Sequence, residues 1–117
     1  MLSKNKDVLI LLDQIQKEDL LKKLIQQINK DAGLVGIEFN LLETSTAQNL
    51  VYDVQKLLLD LIKNDFPAYI NFLYRIDVSE KKLIELQDLE INNLSKKVTF
   101  LILQKEWEKV WFRSRNL

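Results

Sequence analysis

Residues 89–117 read LEINNLSKKVTFLILQKEWEKVWFRSRNL, and this stretch decides the fold. It contains neither Gly nor Pro and holds both tryptophans of the chain. Without a breaker it predicts a long helix on which the other elements pack, bending at most near Asp88 or Asn92-Asn93.

Its apolar pattern changes faces. Ile91, Leu94, Val98, Leu101 and Ile102 share one side in the first half. In the second half that side continues as Lys105, Lys109 and Arg113. The apolar stripe there is Phe100, Leu103, Trp107, Val110 and Trp111, at spacings of three and four. A helix so patterned buries one side early and the opposite side late. It is expected to lean out of its own bundle and to offer the tryptophan stripe to another helix. Trp, Phe and Arg are enriched at protein interfaces. Phe100, Leu103, Trp107, Val110 and Trp111 are therefore the candidate partner-binding residues, and a second copy of the chain is the expected partner. The first helical region is the alternative donor of that helix, since its pattern switches faces in the same way.

Lys105, Lys109 and Arg113 lie four apart, with Arg115 beyond them, and form a candidate anion-binding file interleaved with aromatics. Such a file can bind phosphate and stack on bases. Glu106 and Glu108 dilute it, and the sequence pI of about 6.3 is far from a nucleic-acid-binding footprint. Cations also sit well at any helix C-terminus. A nucleic-acid-associated protein is thus the alternative reading, behind a protein partner.

Composition supports helices throughout. Of 117 residues, 23 are Leu and 11 are Ile, against two Gly and one Pro. This length suits a single domain over residues 1–117 that buries a real core. Cys and His are both absent. That removes disulfides, thiolate metal sites, cysteine nucleophiles, the usual general base and the commonest transition-metal ligand. Paired carboxylates such as Asp53 with Asp60, or Asp77 with Glu80, lack any metal-binding spacing. Gly33-Leu34-Val35-Gly36 lacks the spacing of a phosphate cradle. Ser79 with Lys82 is a conceivable nucleophile pair, but Ser79 reads as a helix cap. No catalytic residue, cofactor or metal is expected, and the chain reads as a non-enzymatic interaction or scaffold protein.

The apolar run Val8–Leu12 is interrupted by Asp13, too early for the core of a signal peptide. No segment approaches the roughly 20 apolar residues of a membrane span. The expected location is cytoplasmic, with no membrane or small-molecule partner. Net charge is zero but uneven: residues 31–65 carry six acidic and two basic side chains, and residues 91–117 carry two acidic and six basic. The two regions are expected to lie side by side.

The rest of the chain supplies the bundle. Residues 4–31 carry two apolar sets, Val8, Leu11, Leu12, Ile15 and then Leu20, Leu21, Leu24, Ile25, Ile28. On a straight helix these would face opposite ways, so a break or bend is expected near Gln16–Glu18. Asp31-Ala32-Gly33 is expected to end the region, with glycine as the left-handed terminator. Residues 33–45 are expected to form an apolar crossover. The alternation of Ile37, Phe39 and Leu41 leaves strand pairing with a second chain as the alternative. A helix follows over about 46–64, capped from Thr44, Ser45 or Thr46. A short apolar helix is expected from about Pro67 to 75, and the last helix is expected to start already at residues 77–79, where Asp77-Val78-Ser79-Glu80 has capping spacing, and to run on through Ile84 and Leu86 with a bend near Asp88 or Asn92-Asn93. The fold expected is all-α, a mostly antiparallel bundle of four to five helices.

Overall fold

The computed structural model describes residues 3–115. The last two residues of the 89–117 stretch lie outside them. The fold is an all-α bundle of six helices, with no strand among the described residues. They are α1 (Ser3–Glu18), α2 (Leu21–Leu34), α3 (Ala47–Asn64), α4 (Phe66–Ile76), α5 (Glu80–Glu85) and α6 (Ile91–Arg115). Residues 4–31 divide into α1 and α2 as the expected break implies, and the count reaches six because the helix expected to run on from 77–79 with a bend is divided into α5 and α6.

The break between α1 and α2 falls where the two apolar sets fall out of phase. Asp19 turns the chain with φ 56°, and its N–H donates to the Gln16 carbonyl at 3.3 Å. The turn lets Leu11, Leu12 and Ile15 share a core with Leu24, Ile25 and Ile28. A straight helix would have exposed one of the two sets.

Helix α2 runs through Gly33 and ends with Gly36 in the left-handed region, at φ 79°. Ile37 N–H reaches the Ala32 carbonyl at 2.9 Å, and Gly36 N–H reaches that of Gly33 at 3.1 Å. This is a Schellman closure, with Ile37 packing near Ala32 in the core. The terminator is therefore the second glycine, not Gly33. The crossover that follows buries Ile37 and Leu41. The Asn29 side chain fixes it, donating to the Leu41 carbonyl at 3.0 Å and accepting from Leu41 N–H at 2.9 Å. These two bonds satisfy a backbone that has no strand neighbour.

Thr46 caps α3 by accepting from Asn49 N–H at 3.1 Å, and Asp65 caps α4 by accepting from Ala68 N–H at 3.2 Å. Helix α4 closes on Asp77, whose φ of 73° occupies the position usually given to glycine. Val78 N–H reaches the Leu73 carbonyl at 3.1 Å, and both side chains are buried. Ser79 then caps α5, accepting from Lys82 N–H at 3.4 Å. Helix α6 starts at Ile91, where Glu90 Oε1 accepts from the backbone N–H groups of Asn92 and Asn93.

Helix α6 is the centre of the bundle: α1, α2, α3 and α4 all pack on it. Its buried face is continuous along its length, through Ser95, Val98, Thr99, Ile102, Leu103, Glu106, Trp107 and Val110. The change of face that the apolar residues suggest does not take place. Polar residues complete the stripe. Thr99 Oγ1 and Ser95 Oγ turn back to donate to carbonyls one turn earlier, at 2.7 and 2.8 Å, which lets them lie against apolar neighbours. Leu103 and Trp107 belong to the chain's own core, and Val110 is buried. Helix α6 stands within its bundle and does not lean out of it.

Candidate functional site

Two features along α6 carry chemistry. The first is a buried acidic pair on the side facing α2 and α4. Helical register places Gln27 and Asp31 one turn apart on the inward side of α2, beside Leu24 and Ile28. A step of four from Ile102 brings Glu106 to the inward side of α6. Glu106 is 0% exposed and Asp31 is 1% exposed.

Two cations contact this pair, and a third, Arg113, reaches it through Gln27. Arg75 Nε from α4 lies 3.2 Å from Asp31 Oδ1. Lys109 Nζ lies 3.3 Å from Asp31 Oδ2 and 2.9 Å from Glu106 Oε1. Gln27 donates to Asp31 Oδ2 at 3.0 Å and accepts from Arg113 at 2.8 Å. The two acids are not equivalent. Burial works to raise the Asp31 pKa, but hydrogen bonds with Glu106 and Gln27, the nearby Lys109 charge and a hydrogen bond with Arg75 together hold it below the ordinary carboxylate value. For Glu106, burial first and then the hydrogen bond to Asp31 push the pKa up to about 8, against the pull of Lys109. Geometry gives the same asymmetry. Neither Glu106 oxygen accepts a well-aligned hydrogen bond, although Lys109 is close. An ionised Glu106 would bear a desolvation cost that Lys109, shared with Asp31, offsets only in part. A protonated Glu106 donates to Asp31 and removes the repulsion between the two carboxylates.

The second feature is a trough on another side of α6, between α1 and α5. It has two halves that share Leu11, Lys82 and Phe100. One half, of about 990 Å³, is walled by Ile10 and Gln14 from α1 and by Trp107, Trp111 and Phe112 from α6. The other, of about 840 Å³, has a floor of Leu12, Val51, Leu101 and Leu103 and a rim of Lys82, Glu85, Lys96 and Lys97. Helix α5, which forms one bank, has no buried residue. From Asn93 to Phe112 the trough follows about 29 Å of α6 at the helical rise. Ile10 and Phe112 are 49% and 63% exposed at its edge.

The residues singled out from the sequence divide between these features. Phe100, Leu103, Trp107 and Trp111 line the trough, while also packing on or within the core. Val110 is buried and lines neither half. Of the basic file, Lys109 and Arg113 bond inward to Asp31, Glu106 and Gln27. Lys105 is half-buried, and the Arg115 guanidinium stacks over Trp111 at 5.0 Å. Lys82, Lys96 and Lys97, which the aromatic pattern did not mark, face the trough instead. Glu106, read from the sequence as diluting a basic patch, is the most deeply buried acid among the described residues. The signal for it was the step of four from Ile102.

Neither acid lines either half of the trough, and Arg75 and Lys109 flank Asp31. Through Arg75 and Lys109 the pair ties α2, α4 and α6 together. The trough is arranged to receive apolar groups. Among the described residues no group of three or more acidic side chains is placed to hold a metal ion, and no helix is long and apolar enough to cross a membrane. No family model matches the chain, and comparison with curated proteins and with solved structures finds no match.

Proposed function

We propose that the chain is a non-enzymatic protein-interaction module whose working surface is the trough along α6. The observation that carries this reading is the open apolar groove walled by Phe100, Trp107 and Trp111, with Ile10 and Phe112 exposed at its edge. Grooves of this kind take an apolar helix face from a partner. Aromatic walls give the energetic anchors that such surfaces use. The absence of His and Cys from the sequence supports a binding role over a catalytic one.

Self-association through α6 is the form this takes at the Trp111 half. The charges there are balanced, with Lys82 on one bank and Glu108 on the other. A two-fold interface places identical surfaces against each other, and balanced charge permits this where a single sign would repel. The cytoplasm is the proposed compartment. Sedimentation equilibrium at tens of micromolar tests the dimer. Wild type is expected to self-associate, and Ile10→Glu with Phe112→Glu to be monomeric, since both side chains are exposed and their loss leaves the core intact. A wild-type chain that stays monomeric removes the homodimer.

A further inference from the structure

The other half of the trough has a different character, and it indicates a different occupant. Its floor is apolar, but its rim sets Lys82, Lys96 and Lys97 against the single acid Glu85. None of the three lysines makes an ion pair among the described residues. Contrast Lys109 and Arg113, whose charges are directed at buried partners in the same chain. Three lysines without an ion pair thus border this apolar floor, against one acid. Two copies meeting here across a two-fold axis would bring lysines against lysines. Like-charge juxtaposition of this kind suppresses a partner.

We propose that this half of the trough binds an amphipathic helix of another protein, with an apolar stripe for the groove and acidic residues flanking the stripe. The shape fits, because the banks are helices and the floor is lined by Leu12, Val51, Leu101 and Leu103. The charge fits, because glutamates beside the stripe meet Lys82, Lys96 and Lys97 at the rim. Rim charges of this sort set orientation and association rate, while the apolar floor holds the helix. The proposal rests on the interaction reading of the trough but not on the dimer, which is centred on the other half and shares only Leu11, Lys82 and Phe100 with this one.

The test is fluorescence anisotropy with labelled amphipathic helical peptides. One peptide has Leu at positions i, i+3, i+4 and i+7 flanked by Glu; a second has the same stripe flanked by Lys. The Glu-flanked peptide is expected to bind, to weaken as salt rises, and to weaken about tenfold or more against the Lys82→Glu, Lys96→Glu double variant. Both replaced side chains are exposed, so the variant keeps its fold, which circular dichroism checks. The Lys-flanked peptide is expected to fail against wild type and to gain binding to the double variant. Equal binding of both peptides overturns the acidic specificity and leaves the interaction reading standing. Failure of both overturns the proposal, and if the chain also stays monomeric in sedimentation the interaction reading falls with it. Binding of a labelled single-stranded oligonucleotide that the double variant loses, without binding of the acidic peptide, overturns the proposal in favour of nucleic acid.

Discussion

Replacing Glu106 by Gln tests the account of the buried acids directly. The substitution keeps size and shape, removes one ionisable group, and supplies an N–H that can donate to Asp31 as the protonated acid does. In the folded chain Glu106 titrates near 8, against an ordinary value of 4.5. A group with a raised folded pKa contributes stability that is fully present below its unfolded value. That contribution is lost as pH rises toward the folded value, because the unfolded chain ionises first. The loss from Glu106 therefore runs from about pH 4.5 to about pH 8. One proton of difference between the states costs about 1.4 kcal/mol per pH unit. Over the window this amounts to several kcal/mol, a large share of the ~5–15 kcal/mol of an ordinary domain. Asp31 acts in the opposite sense but elsewhere. Its folded pKa is lowered, so its contribution is complete above about 3.8 and is lost only at lower pH. Between pH 5 and 8 the slope thus belongs to Glu106. Urea unfolding followed by tryptophan fluorescence at pH 5, 6, 7 and 8 measures it. Wild type is expected to lose stability across this range. Glu106→Gln is expected to match wild type within about 1 kcal/mol at pH 5 and to exceed it by roughly 2 kcal/mol or more at pH 8. Parallel curves for the two proteins would refute the protonated, buried Glu106.

Lys109→Met should destabilise the fold by about 3 kcal/mol at pH 7, because it removes a cation shared by two buried carboxylates; the same urea titrations measure it. Trp107→Ala should cost about 3–5 kcal/mol, since the side chain is part of the core, whereas Phe112→Ala should stay within about 0.5 kcal/mol. Thermal unfolding of the two variants side by side checks that contrast. Asp77→Gly should raise stability by about 0.5–1 kcal/mol, because φ 73° is costly for a residue with a Cβ and natural for glycine. An unchanged or lowered melting temperature would argue that the Asp77 side chain compensates for its strain.

Much of the fold was legible because it depends on local signals. Thr46, Asp65 and Ser79 cap helices where small polar residues precede apolar runs, and the phase slip near Gln16–Glu18 marks a real break at Asp19. Two terminators were misplaced or missed for a shared reason. A Schellman closure is decided by which residue reaches back to the last turn, and that depends on which following side chain finds the core. Ile37 and Val78 are those side chains, so Gly36 and Asp77 become the left-handed positions. Gly33 is left inside its helix.

The error over α6 has a different origin. Counting only apolar residues makes the helix seem to change sides, because three positions of its true inward stripe are Ser95, Thr99 and Glu106. The two hydroxyls are self-satisfied through the backbone and need nothing from the rest of the chain. Glu106 cannot be satisfied locally. Its burial depends on Asp31 from α2 and on a proton, and on Lys109, whose Nζ must also reach Asp31. None of these requirements leaves a trace in the periodicity of α6 itself. The uneven charge of the sequence did hold part of the answer, since the acidic region from residue 31 and the basic region to residue 117 do meet, at Asp31 with Lys109. The meeting is buried, and it turns inward two of the four cations of the basic file, Lys109 and Arg113. Of the lysines without an ion pair among the described residues, Lys82, Lys96 and Lys97 are the ones that border the trough. The proposed binding face therefore draws on cations that the fold leaves unpaired rather than on those that the sequence makes most conspicuous.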